Sequence, residues 1–134
     1  MRLWHYKLIP VLPNAMLVSQ WRECLAIKRQ WEKGTLKHRL VSYVMDYHKE
    51  YFYWFVYQVA EEMRNRKIKY QSKYYEEIQL FCESDEYCGE CPNYTEHNDR
   101  YLKQCLYNLQ EKYDCGGISQ EEWQKIEDKF GGVM

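Results

Sequence analysis

The sequence has no apolar run of the ~18–20 residues that a membrane-spanning helix requires, so no such helix is expected. It has only 3 prolines and 6 glycines, too few for long disordered or collagen-like segments. Its opening, Met1-Arg2-Leu3-Trp4-His5-Tyr6-Lys7, lacks the uninterrupted apolar stretch of a secretory signal peptide. Internal repeats, low-complexity tracts and inter-domain linkers are absent as well. These absences lead to the expectation of a cytoplasmic protein with no membrane association and a single domain over residues 1–134. What is present agrees: 46% of residues are hydrophobic and 17% aromatic, enough for one real core in 134 residues.

Charge of one sign is also scarce overall, with a formal net charge of −1, but it is sorted along the chain. From Met1 to Lys73 there are 14 basic against 6 acidic side chains, a net of +8. From Tyr74 to Met134 the balance is 5 against 14, a net of −9. A basic half attracts polyanions such as nucleic acid. The acidic half limits non-specific attachment or forms a solvated surface. Five of the six cysteines, Cys82, Cys88, Cys91, Cys105 and Cys115, fall in that second half. In a reducing compartment these are thiols or metal ligands before they are disulfides.

Periodicity predicts helices throughout. The segment up to Pro13 reads as extended, because Pro10 and Pro13 interrupt regular structure. Asn14 is a candidate N-cap for a helix running to about Glu32, with Gly34 just past its end. Leu17, Trp21, Cys24, Leu25 and the stem of Lys28 form its core stripe. A second helical stretch starts near His38, with Leu40, Val41, Val44 and Met45 at helical spacing. A third spans about Lys49 to Arg66, with Phe52, Phe55, Val56, Val59, Ala60 and Met63 on one face. The aromatic run from Tyr51 to Tyr57 has strand propensity and could stack bases. The continuing 3.6-residue pattern assigns it to a helix core instead. A short helix over Lys73–Phe81, a polar loop from Cys82 to Tyr94, a helix capped by Thr95 or Asn98 and ending near Tyr113, and a last helix opened by a Ser119–Glu122 capping box complete the reading.

On the first long helix, Ser19, Arg22, Glu23, Ala26, Arg29 and Gln30 share the face opposite the core stripe. Small residues at its centre, two arginines on one flank and a carboxylate on the other would let a phosphate backbone approach. The plain alternative is a solvated helix surface, which pattern alone favours.

The opening Met1 to Pro13, followed by Gln20-Trp21-Arg22-Glu23-Cys24, resembles the pyrimidine-dimer DNA glycosylase (endonuclease V) family, in its bacterial branch. Supporting matches are Lys37-His38 leading to Tyr43-Val44, Glu61-Glu62-Met63 with Arg66, and the stretch from Tyr94 to Lys112 with Glu96-His97-Asn98 and Tyr101-Leu102. The family-like region is therefore 1–112, with 113–134 an acidic C-terminal helix. The resemblance implies an all-α, compact fold whose extended N-terminal segment threads between helices. It also implies a glycosylase and abasic-site lyase acting on pyrimidine dimers in double-stranded, UV-damaged DNA, as a monomer and without a cofactor. In such enzymes the terminal α-amine attacks the sugar C1′, forms an imine, and β-elimination breaks the strand. Carried onto this sequence, the nucleophile is the amine of Met1, which bulky Arg2 should keep from being trimmed. Glu23 handles protons, and Arg2 and Arg22 grip phosphates. Arg29 stands in for an arginine that Ala26 replaces. Read from the residues alone, His38 beside Lys37 could line a DNA groove, although a lone histidine is more often a solvated or hydrogen-bonded structural residue. An α-amine suits the task, since it titrates about two units below a lysine.

Two rival readings remain. Cys88-Gly89-Glu90-Cys91 is a Cys-x-x-Cys knuckle that Cys82 and His97 flank closely enough to complete a structural zinc site. Cys24 and Cys105 read instead as small buried hydrophobes. The acidic second half, and the lack of a basic, aromatic tail, also fit a non-catalytic module that keeps the fold and binds nucleic acid or a protein. On either reading, the Cys82–His97 segment is expected to be an appendage apart from the chemistry.

Overall fold

A computed structural model describes residues 1–83 and 92–134. Among these residues it contains α1 (Asn14–Lys33), α2 (Lys49–Asn65), α3 (Ser72–Cys82), α4 (Asp99–Asp114) and α5 (Gln120–Phe130), with 3-10 helices at Tyr6–Val11 and Ser42–Asp46. The described residues form no strand, and the fold is all-helical, as the periodicity predicts.

α2 is the hub. It packs against α1, α3 and both 3-10 helices, while α5 packs against α4 and the first 3-10 helix. The reason lies in its sequence: Phe52, Phe55, Val56, Val59, Ala60 and Met63 recur every three or four residues and are all buried. The aromatic run is therefore helix core, and its β-propensity is overridden by burial of one helical face. α1 buries Leu17, Trp21, Cys24 and the Lys28 stem against it. The Lys28 ammonium reaches out to Glu32 and Glu77, each at 3.2 Å.

The ends follow from local chemistry. Gly34 closes α1 at φ 74°, a left-handed backbone that a side chain would strain, while Thr35 N–H reaches back to the Gln30 carbonyl at 2.9 Å. Asn98 caps α4 by accepting from Tyr101 N–H at 2.9 Å. The Ser119–Glu122 capping box opens α5 with bonds of 3.0 and 3.1 Å.

Three expectations are corrected. The segment before Pro13 is extended only at its start; Tyr6–Val11 turns into a 3-10 helix, with Pro10 tolerated inside it. Arg66 gathers the carbonyls of that turn, donating to Ile9 (3.3 Å), Pro10 (3.0 Å) and Leu12 (2.6 Å). The N-cap of α1 is Pro13 rather than Asn14, whose side chain instead accepts from Arg66 at 2.9 Å. The stretch near His38 forms only the Ser42–Asp46 turn: Val41 and Val44 are buried, but Leu40 and Met45 are exposed, so no continuous apolar stripe exists to hold a longer helix.

Residues 1–5 place the site. Leu3, Trp4 and His5 are buried, and the segment runs between α1 and α4. A buried extended chain with no sheet beside it must satisfy its peptide groups with side chains. Trp4 N–H donates to Gln20 of α1 at 2.7 Å, and the Leu3 carbonyl accepts from the Tyr101 hydroxyl of α4. This threading is the one the resemblance implies.

Candidate active site

Gln20 is the centre of the arrangement. It is fully buried, at 0% exposure, on the core stripe of α1 between Leu17 and Cys24. Its carboxamide has no spare donor: Nε2 donates to the Arg2 carbonyl at 2.9 Å and to Glu23 Oε2 at 3.2 Å, while Oε1 accepts from Trp4 N–H. One side chain thereby grips the backbone at residues 2 and 4 and ties it to the carboxylate one turn along α1. Met1 emerges from this grip 37% exposed, and Glu23 is half-buried. The backbone next to the terminus and a half-buried carboxylate are thus bound to the same buried amide.

Two arginines adjoin these residues in the chain, Arg2 next to Met1 and Arg22 next to Glu23. The Arg2 guanidinium lies 5.5 Å from the Trp4 ring centroid and near Tyr101 and Cys105. Arg22 is exposed on α1 and lines a groove of about 260 Å³ together with Trp21, Met63, Lys69 and Tyr70. Among the described residues, neither Arg2 nor Arg22 has a carboxylate within ion-pair distance. Arg29, two turns further along, differs. Glu77 of α3 takes it in a bidentate pair at 3.0 and 3.1 Å, which holds the Glu77 carboxyl below its usual range. The charge of Arg29 is therefore largely matched in place. His38 lies in the loop after α1, where its Nδ1 accepts from Leu40 N–H at 3.3 Å. Among the described residues, no hydrogen bond or ring contact joins it to the Arg2–Glu23 cluster.

The inner wall comes from the segment leading into α4. His97, only 6% exposed, stands at the middle of a ring cluster with His5, Tyr6, Tyr43, Phe55, Tyr94 and Tyr101. Its Nδ1 accepts from Tyr6 N–H at 3.2 Å, so the neutral ring carries its hydrogen on Nε2 and donates it to the Tyr43 hydroxyl at 2.8 Å. His5 is 1% exposed, and its Nδ1 accepts from Lys7 N–H at 3.1 Å. Burial lowers both imidazoles, His5 to about 4 and His97 to about 3, so each is a neutral, fixed hydrogen-bonding group. Burial likewise pushes the Tyr43 and Tyr101 hydroxyls and the Cys105 thiol upward.

These contacts bear on His97 alone within the cysteine loop. Both ring nitrogens of His97 are engaged within the core, which leaves neither facing outward for a metal, and the ring is part of that core. Cys82 is buried at the end of α3, whereas Cys88 and Cys91 lie outside the described residues. Among the described residues, no group of three or more His, Cys, Asp or Glu side chains is arranged to hold a metal ion. Cys24 and Cys105 are fully buried, as their apolar neighbours predict.

Sequence reasoning placed Arg2, Arg22 and Glu23 together but assigned no role to Gln20 or Tyr101. The signal for Gln20 was available: a polar residue on an apolar helical stripe, which must have buried partners. Nothing in the sequence signals the pairing of Tyr101 with Leu3.

Fold and site define a small helical protein whose N-terminal segment is tied, through the buried amide of Gln20, to the Glu23 carboxylate on α1. A family model described as pyrimidine dimer DNA glycosylase matches residues 1–76, more than half of the chain, and the chain belongs to this family. No curated protein and no solved structure matches it.

Proposed function

We propose that the protein is a DNA glycosylase and abasic-site lyase acting on pyrimidine dimers in double-stranded DNA, with the α-amine of Met1 as nucleophile. The observation that carries this reading is the Gln20 bridge, in which one buried amide binds both the Arg2 carbonyl and the Glu23 carboxylate. It supports an amine held within reach of a group able to move protons, the juxtaposition that imine chemistry needs. The amine attacks the sugar C1′, the bond to the base breaks, and a cationic imine forms. Glu23 balances that charge and takes the C2′ proton as the C3′–oxygen bond breaks in β-elimination. Damaged pairs stack poorly and are the cheapest to distort, which favours the lesion over intact duplex.

Arg2 and Arg22 supply the phosphate contacts in this reading, having no competing carboxylate among the described residues. Arg29 contributes less, because Glu77 already holds its guanidinium, and His38, in the loop after α1, would face the groove of the DNA in this reading. Trapping on abasic-site duplex with borohydride tests the proposal. A covalent protein–DNA adduct is expected. Binding without an adduct would make the chain a non-catalytic DNA-binding module.

A further inference from the structure

The family match ends at residue 76, yet the N-terminal segment is gripped from both sides, and one of the gripping walls lies well beyond that point. On the α1 side Gln20 holds the backbone of residues 2 and 4. On the other side the Tyr101 hydroxyl donates to the Leu3 carbonyl, and His97 Nδ1 accepts from Tyr6 N–H at 3.2 Å. Peptide groups at residues 2, 3, 4 and 6 are thereby fixed by three side chains, one from α1, one from α4 and one from the segment leading into α4. Leu3 is the link that Gln20 does not hold. Its carbonyl is bound only by Tyr101 among the described residues, so α4 sets how the first two residues leave the core.

The ring of His97 is itself braced, with Tyr43 on Nε2 at 2.8 Å and the Tyr101 ring centroid 5.2 Å away. A braced acceptor and a part-buried hydroxyl do more than satisfy the peptide groups of a buried segment. They fix the direction of a chain end, and catalysis by that end is sensitive to displacements of about 1 Å.

We propose that Tyr101 and His97 are positioning residues that aim the amine of the first residue at the Glu23 carboxylate, so that the second half of the chain completes an active site whose reacting groups lie in the first 23 residues. This rests on the proposed lyase chemistry. The step to read is condensation of the amine with the C1′ aldehyde of an abasic sugar, which expels water and gives an imine that borohydride reduces to a stable secondary amine.

The experiment compares the full-length protein with Tyr101→Phe, His97→Ala, His97→Asn and Ile78→Val. Ile78 is buried in α3, away from the grip, and serves as a stability control. Two quantities are read: the single-turnover trapping rate at saturating abasic duplex, and affinity for a duplex with a tetrahydrofuran site, which offers no C1′ carbonyl. Tyr101→Phe and His97→Ala should slow trapping by about tenfold or more while affinity stays within about twofold. His97→Asn keeps an acceptor near the Nδ1 position and should restore most of the rate. Ile78→Val should trap at the wild-type rate despite a lower Tm. If Tyr101→Phe traps as fast as wild type, or Ile78→Val slows in proportion to its loss of Tm, the positioning role is overturned and the lyase reading stands. If the wild-type protein itself does not trap, both fall.

Discussion

The basic and acidic parts of the chain make different contributions to the proposed site. The first part, to Lys73, supplies Met1, Arg2, Arg22 and Glu23, all at least partly open to solvent. The second supplies His97 and Tyr101, which are shielded and satisfied by neighbouring groups. Groups that must meet a substrate stay near the surface with spare capacity to bond. Groups that hold the chain in place are buried with their capacity used. Counting charges would assign function to the basic part alone, but the N-terminal segment is anchored in both.

The largest expected effect separates reacting from holding groups. Glu23→Gln keeps size and helix propensity but cannot take a proton, and strand cleavage should fall by about 10²-fold or more with DNA affinity little changed. Cleavage within a few fold of wild type would remove Glu23 from the chemistry.

The holding side is sharpened by pH. His5 and His97 are buried neutral, whereas in the unfolded chain imidazoles titrate near ~6.5. The unfolded state therefore binds more protons in the window between those values. Stability is complete above about 6.5 and declines as pH falls toward about 4 for His5 and about 3 for His97. Lys7 and Asp99 act on His5 in opposite directions and leave burial dominant. Between pH 7 and 5 the loss should be about 2 kcal/mol per ring, read as a falling Tm. His97→Asn should remove one ring's share of that slope. A Tm that is flat over this window would contradict the buried neutral pair.

Smaller effects divide the arginines. Arg22→Ala should weaken DNA binding and lower the slope of log K against log salt by about 0.9, the value of one phosphate contact. Arg29→Ala should change the slope less, since Glu77 already holds Arg29. Equal changes for the two would show that Glu77 releases Arg29 on DNA.

Legibility in the sequence followed the same division. α2 was plain, because six buried residues repeat at helical spacing, and the α5 capping box was plain because its signal is local. The 3-10 turn at Tyr6–Val11 was not, because Arg66, more than fifty residues away, gathers its carbonyls. Likewise, His97 looked like a metal ligand beside Cys88 and Cys91, since sequence proximity is visible and the bonds to Tyr6 and Tyr43 are not. Glu23 and Arg22 could be read from one helix face. Gln20 left a signal, a polar residue on an apolar stripe, but its backbone partners at residues 2 and 4, like the partners of Tyr101 and His97, lie in other elements and could not be read.

The most direct measurement is to trap the protein on abasic-site duplex with borohydride, digest the complex and locate the modified residue. Catalysis by the terminal amine requires a single linkage on the α-amine of the Met1 peptide, formed far more slowly by Tyr101→Phe. A linkage to an internal lysine such as Lys7 or Lys69 would contradict it.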